Sequence, residues 1–147
     1  MNIGAVFTDI LLEIISKTSG FSLDIISDDN DPGLYDVIGI MNLNGKKSGT
    51  LFVSANEQSA RTLCSYMIGI PMEEVTDEDI NDTICEIANM LAGNAKLRFC
   101  GTDDMFMLSS PFVIKGKDMS ILTKQRINVI SRVVGNDEIT LKFKVVY

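Results

Sequence analysis

Apolar residues recur at helical spacing in three stretches of this chain and at alternate positions in much of the rest. The order of these two rhythms constrains the fold more than any other feature. Ile3, Phe7, Ile10, Leu11, Ile14 and Ile15 share one helical face, and Gly20 ends the run. Tyr35 to Leu43 and Gly49 to Ser54 read as strands around Asn44-Gly45-Lys46-Lys47-Ser48, a hairpin with a loop longer than the minimal one. Ser54-Ala-Asn-Glu57 predicts a capping box for a second helix, whose apolar face is Ala60, Leu63, Cys64 and Met67 and which Gly69 and Pro71 close. A long third helix is expected from about Asp77 to Phe99. Thr76-Asp-Glu-Asp79 gathers acid at its start, where free backbone N–H groups and the positive end of the dipole favour it. Met105 to Ser109, Phe112 to Ile114, Ser120 to Thr123, Ile127 to Val134 and Ile139 to Val146 then read as strands, with Gly135-Asn136-Asp137 as a turn between the last two. In the final strand Ile139, Leu141, Phe143 and Val145 point inward. Thr140, Lys142 and Lys144 point outward, where the lysines mark a solvent face or protect an edge.

This order lacks the regular β-α alternation of a parallel sheet. It predicts an α+β fold in which helices pack on a mainly antiparallel sheet. With 147 residues, 46% of them hydrophobic, the chain suits a single domain spanning 1–147. No apolar run approaches the ~18 residues that cross a bilayer. Asp9 and Glu13 stand where a signal peptide needs a basic start and an uncharged centre, so a cytoplasmic protein without membrane insertion is expected.

Cys64, Cys85 and Cys100 are odd in number and widely spaced, which predicts reduced, buried thiols rather than disulfides or a zinc site. The chain has no histidine, which excludes Ser-His-Asp and Cys-His catalysis and any imidazole base. Net charge is −7, and no dense basic patch offers a grip on nucleic acid. Asp28-Asp-Asn-Asp31-Pro-Gly33 has the acids of a calcium loop, but Pro32 replaces an oxygen ligand and Gly39 stands where the bidentate Glu belongs. These acids, with Asp77 to Asp79, are the only support for a small-molecule enzyme working through clustered carboxylates. Loop solvation and helix capping account for both groups.

The third helix poses a sharper question. Counted from Asp82 at about 100° per residue, Glu86, Asn89, Gly93 and Lys96 all fall within about 40° of it. Ile80, Ile84, Ile87, Ala88, Leu91, Ala95 and Phe99 lie opposite and form the buried face. Asn89 and Gly93 are poor helix formers, together about 1.5 kcal/mol less favourable than alanines, with no turn or cap to justify them. A solvated stripe explains their polarity but not their identity. The choice suits close approach by another molecule, with Gly93 leaving room and Asn89 presenting a neutral carboxamide, donor and acceptor, that holds a water. Glu78 and Asn81 repeat the E-x-x-N spacing, but Asn81 turns toward the apolar flank.

Glu86-x-x-Asn89 followed by Met-Leu-Ala-Gly93-Asn94-Ala-Lys96 resembles the signature of the CheC/CheX/FliY family of chemotaxis phosphatases, and its CheX branch most. Asp36-Val-Ile-Gly-Ile-Met, Ser48-Gly49-Thr-Leu-Phe-Val-Ser54 and Ser109-Ser-Pro111 are similar to the family's flanking features, although Pro111 lies one residue nearer to Asn89 than in the family pattern. The resemblance implies a CheC-like fold and a helix that docks on a phosphorylated CheY-type receiver domain and hydrolyses its aspartyl phosphate. By that resemblance Asn89 would orient the attacking water, and Glu86 would pair with the receiver's active-site lysine. Asp82 would fill the motif's Asp or Ser position, and Gly93 and Lys96 would belong to the docking face. The chain would have no cofactor of its own, Mg2+ belonging to the receiver. One copy of the helix, where CheC-like members carry two, implies a homodimer with two sites. The alternative is a non-catalytic module that binds a receiver or a flagellar switch component.

Overall fold

The computed structural model describes residues 2–27, 33–124 and 128–147. α1 (Ile3–Ser19) starts at Asn2, whose side chain accepts from the Ala5 N–H at 3.0 Å, and ends where Gly20 turns left-handed. It buries Val6, Phe7, Ile10, Leu11, Ile14 and Ile15. β1 (Asp24–Ser27) follows. No strand is expected here from the sequence, and although Phe21, Leu23 and Ile25 alternate with polar residues, the burial does not alternate within Asp24–Ser27, where Ile25 and Ile26 are adjacent and both exposed. β2 (Tyr35–Gly45) and β3 (Gly49–Ala55) form the expected hairpin.

α2 (Glu57–Ile68) is capped by Asn56, whose side chain accepts from the Ser59 N–H at 2.8 Å. The predicted cap at Ser54 is wrong, because Ser54 is still in β3, opposite Lys142. Gly69 closes the helix. After a single 3-10 turn (Met72–Glu74), α3 (Asp77–Phe99) begins at a capping box: the Thr76 hydroxyl accepts from the Asp79 N–H, and the Asp79 carboxylate accepts from the Thr76 N–H. The remaining strands are β4 (Phe106–Leu108), β5 (Phe112–Met119), β6 (Val129–Gly135) and β7 (Thr140–Val146). β5 runs five residues beyond the predicted Ile114. Ile127, where the next strand was expected to begin, and residues 28–32 of the acidic loop lie outside the described residues.

All pairings are antiparallel, in the order β1-β6-β7-β3-β2-β4. β2 shares its outer edge between β4, opposite residues 43–45, and β5, opposite residues 35–40. The three helices cover one face. Their apolar sides meet Val37, Met41, Leu51, Val53, Leu141 and Phe143 in the main core. Gly39 lets α3 settle onto β2: a Cβ there would stand 2.9 Å from Ile84 Cγ2 and 3.3 Å from the Ile84 carbonyl.

The second face corrects two expectations. Ser120 to Thr123 form no strand. The segment crosses this face instead, where Ile121 packs beside Tyr35, Ile38 and Ile40 and its carbonyl accepts from Lys144 Nζ at 3.0 Å. Lys142 and Lys144 are therefore buried, at 7% and 6% exposure, rather than solvated, and β7 is a central strand rather than an edge. The Lys142 ammonium lies 5.8 Å from the centre of the Tyr35 ring. Burial, and then the charge of Lys142, push the Lys144 ammonium below its ordinary pKa.

Candidate functional site

α3 is held from below and at its start. Ile80, Ile84, Ile87, Ala88, Leu91, Ala95 and Phe99 are all buried, as the helical spacing predicts, and Thr83 and Ala92 join them. Asp77 pairs with Lys115 of β5 at 3.0 Å and with Arg61 of α2 at 3.7 Å; Arg61 also donates to the Val75 carbonyl. Such half-exposed pairs each contribute little energy, but they orient the first turn.

On the outward side Asp82, Glu86 and Asn89 are exposed, while Gly93 and Lys96 are half-buried. None of the four side chains Asp82, Glu86, Asn89 and Lys96 makes a hydrogen bond or ion pair among the described residues. A Cβ at Gly93 would meet nothing within 4 Å. Nothing among the described residues therefore accounts for an asparagine and a glycine one turn apart on an open face. Asn94 does not share that face's freedom, because its Nδ2 donates to the Met90 carbonyl at 2.8 Å. In the second E-x-x-N, Asn81 turns inward, and its buried Oδ1 has no hydrogen-bond partner among the described residues.

The cysteines divide three ways. Cys64 is buried and Cys85 half-buried, but Cys100 is exposed, against expectation, because α3 ends at Phe99 and the chain turns out into solvent at Gly101. Burial, followed by the carboxylates of Asp82 and Glu86, pushes the Cys85 thiol up, so it is a poor nucleophile despite its place beside the stripe. Burial likewise raises Cys64.

Three supporting features have roles that sequence reasoning does not assign. Asp36 accepts from the Glu57 N–H at 2.8 Å and the Asp118 N–H at 3.2 Å, fastening β2 to the start of α2 and to β5. Ser109 fixes the step from β4 to β5, its hydroxyl accepting from the Asn42 N–H and its own N–H donating to the Asn42 carbonyl. Met67 and Ile68 border a groove shared with Asp82 and Glu86. Only Asp36 and Ser109 carry a sequence signal, and it lies in the flanking segments of the resemblance.

The sequence profile of the family described as Chemotaxis phosphatase CheX matches residues 37–133. The chain belongs to the CheX family. Among solved structures, CheX from Vibrio vulnificus is similar at 20% identity, with 96% of this chain and 95% of that one covered and a TM-score of 0.85. A chemotactic CheC-like protein from Shewanella oneidensis is similar at 25% identity, with 99% of each chain covered and a TM-score of 0.82. A CheX–CheY–BeF3–Mg2+ complex from Borrelia burgdorferi contains a chain similar at 16% identity, with 99% and 97% covered and a TM-score of 0.82. A comparison with curated proteins returns no match. The α+β architecture is thus that of CheX and CheC-like proteins, and no helix among the described residues is long and apolar enough to cross a membrane.

Proposed function

We propose that this chain hydrolyses the aspartyl phosphate of a CheY-type response regulator, with Asn89 positioning the attacking water. The observation that carries this reading is an exposed carboxamide, free of hydrogen bonds among the described residues, on the open face of a helix whose other face is fixed to the sheet. An acyl phosphate is already activated, so placing water in line contributes much of the acceleration. The water oxygen attacks phosphorus opposite the aspartyl oxygen. The P–O bond to the aspartate breaks, its electron pair leaves with the carboxylate, and the proton of the water departs with inorganic phosphate. The amide is neutral near pH 7 and orients the water rather than deprotonating it.

Glu86, one turn away, pairs with a cation of the receiver, and Asp82, Gly93 and Lys96 complete the docking face. In this reading Mg2+ sits on the receiver, in keeping with the composition of the Borrelia burgdorferi complex. The working form is a cytoplasmic homodimer of one-domain chains with two such helices, which light scattering tests. Phosphate release from phosphorylated CheY-type receivers of the same cell, with wild type and Asn89→Ala, tests the chemistry. Unchanged decay in the variant overturns it, and docking without acceleration leaves a binding module.

A further inference from the structure

Beside the stripe, and sharing Asp82 and Glu86 with it, lies a groove whose α2 wall the hydrolysis itself does not use. It runs between the last turn of α2 and the first half of α3, lined by Met67, Ile68, Asp79, Asp82, Thr83 and Glu86. Ile68 is 48% exposed at the end of α2, where Gly69 turns the chain away at φ 72°. One wall is thus apolar and the other carries three carboxylates. Asp79 spends one oxygen on the Thr76 N–H, while Asp82 and Glu86 pair with no cation among the described residues. Unbalanced carboxylates facing an exposed isoleucine call for an occupant that is cationic and apolar at once.

We infer that this groove is a second contact for the receiver, seating an apolar side chain flanked by lysine or arginine, and that it selects which receiver docks. The inference rests on the phosphatase reading above. Glu86 borders both groove and stripe, so a partner seated in the groove overlies Asn89. The charge along α3 also gives docking a direction, since the acids lie toward its start and Lys96 and Arg98 in its last turn. Contacts made alike in ground and transition state change the concentration needed for half-maximal rate. Positioning of the water changes the turnover rate.

The test titrates wild type, Ile68→Ser, Ile68→Lys, Asn89→Ala and the control Ile25→Ser with each CheY-type receiver of the same cell, loaded with beryllium fluoride and Mg2+, and follows phosphate release in parallel. Ile25, 54% exposed, lies on the edge strand β1 and serves as an equally exposed isoleucine outside the groove. Ile68→Ser is expected to raise Kd about fivefold to tenfold and KM in proportion, with kcat unchanged. Ile68→Lys weakens docking further, because it sets a cation against the partner's own. Asn89→Ala lowers kcat with Kd within about twofold, and Ile25→Ser changes neither. Unchanged Kd in both Ile68 variants overturns the groove whether or not wild type releases phosphate. Binding that responds to Ile68 without any phosphate release keeps the groove and removes the phosphatase reading. If wild type binds no receiver, both fall.

Discussion

Gly39 lies beneath α3 and Gly93 on top of it, and the two answer to different neighbours. Under the helix, Ile84 fills the space a Cβ of Gly39 would need. On top, a Cβ at Gly93 would meet open space, and Asn89 one turn earlier touches no partner for its amide among the described residues. The lower glycine is explained by packing inside the chain. The upper one weakens a helix with no return among the described residues, and in the proposed reading its explanation is a molecule that approaches this face.

Four substitutions put that contrast under strain. The largest expected effect is on catalysis: Asn89→Ala slows receiver dephosphorylation by about 100-fold or more, about 2.7 kcal/mol, while thermal unfolding shows no loss of stability. A variant that unfolds early would place Asn89 with the structural residues and erase the distinction. Next, Gly39→Ala destabilises by about 1–3 kcal/mol in urea unfolding, because neither the Ile84 side chain nor its carbonyl can yield cheaply. Gly93→Ala has the opposite sign, stabilising by about 1 kcal/mol while weakening docking on the receiver. If it destabilises, the space above α3 is not free.

The smallest effect concerns the covered face. Burial holds the folded-state pKa of Lys144 below its ordinary 10.5. Between those two values the unfolded chain binds the additional proton, so stability rises with pH across that window. Lys144→Met removes that share of the rise, read as a flatter pH dependence of the urea midpoint in the alkaline range. A slope equal to that of wild type would mean the ammonium is not desolvated.

Legibility followed the physics of local signals. α1 and α3 could be read because long helical periods with caps are written in contiguous residues; α3 begins and ends where predicted. The outward stripe was legible for the same reason, since Asp82, Glu86 and Asn89 are spaced on one helix. Pairings distant in sequence were not. β1 carries two exposed isoleucines in succession, and its strand character depends on the distant β6. Alternation in β7 placed Lys142 and Lys144 outward correctly, but outward is not solvated when Ile121 and its neighbours cross that face. The groove beside Asp82 and Glu86 joins two helices, and no single segment announces it. The exposed Cys100 was missed because thiols are more often buried. Alkylation should accordingly modify Cys100 first and Cys64 last.

The sheet order carries one more consequence, for assembly of the fold. β7 comes after the six other described strands in chain order, yet it lies between β3 and β6 and bonds to both. While the ribosome is still extending the chain, the hairpin of β2 and β3 waits with a bare β3 edge, whereas β6 and β7, joined by the turn between Gly135 and Thr140, are made together. A nascent chain is thus vulnerable to intermolecular strand pairing until the centrepiece arrives, and chaperone shielding matters most in that interval.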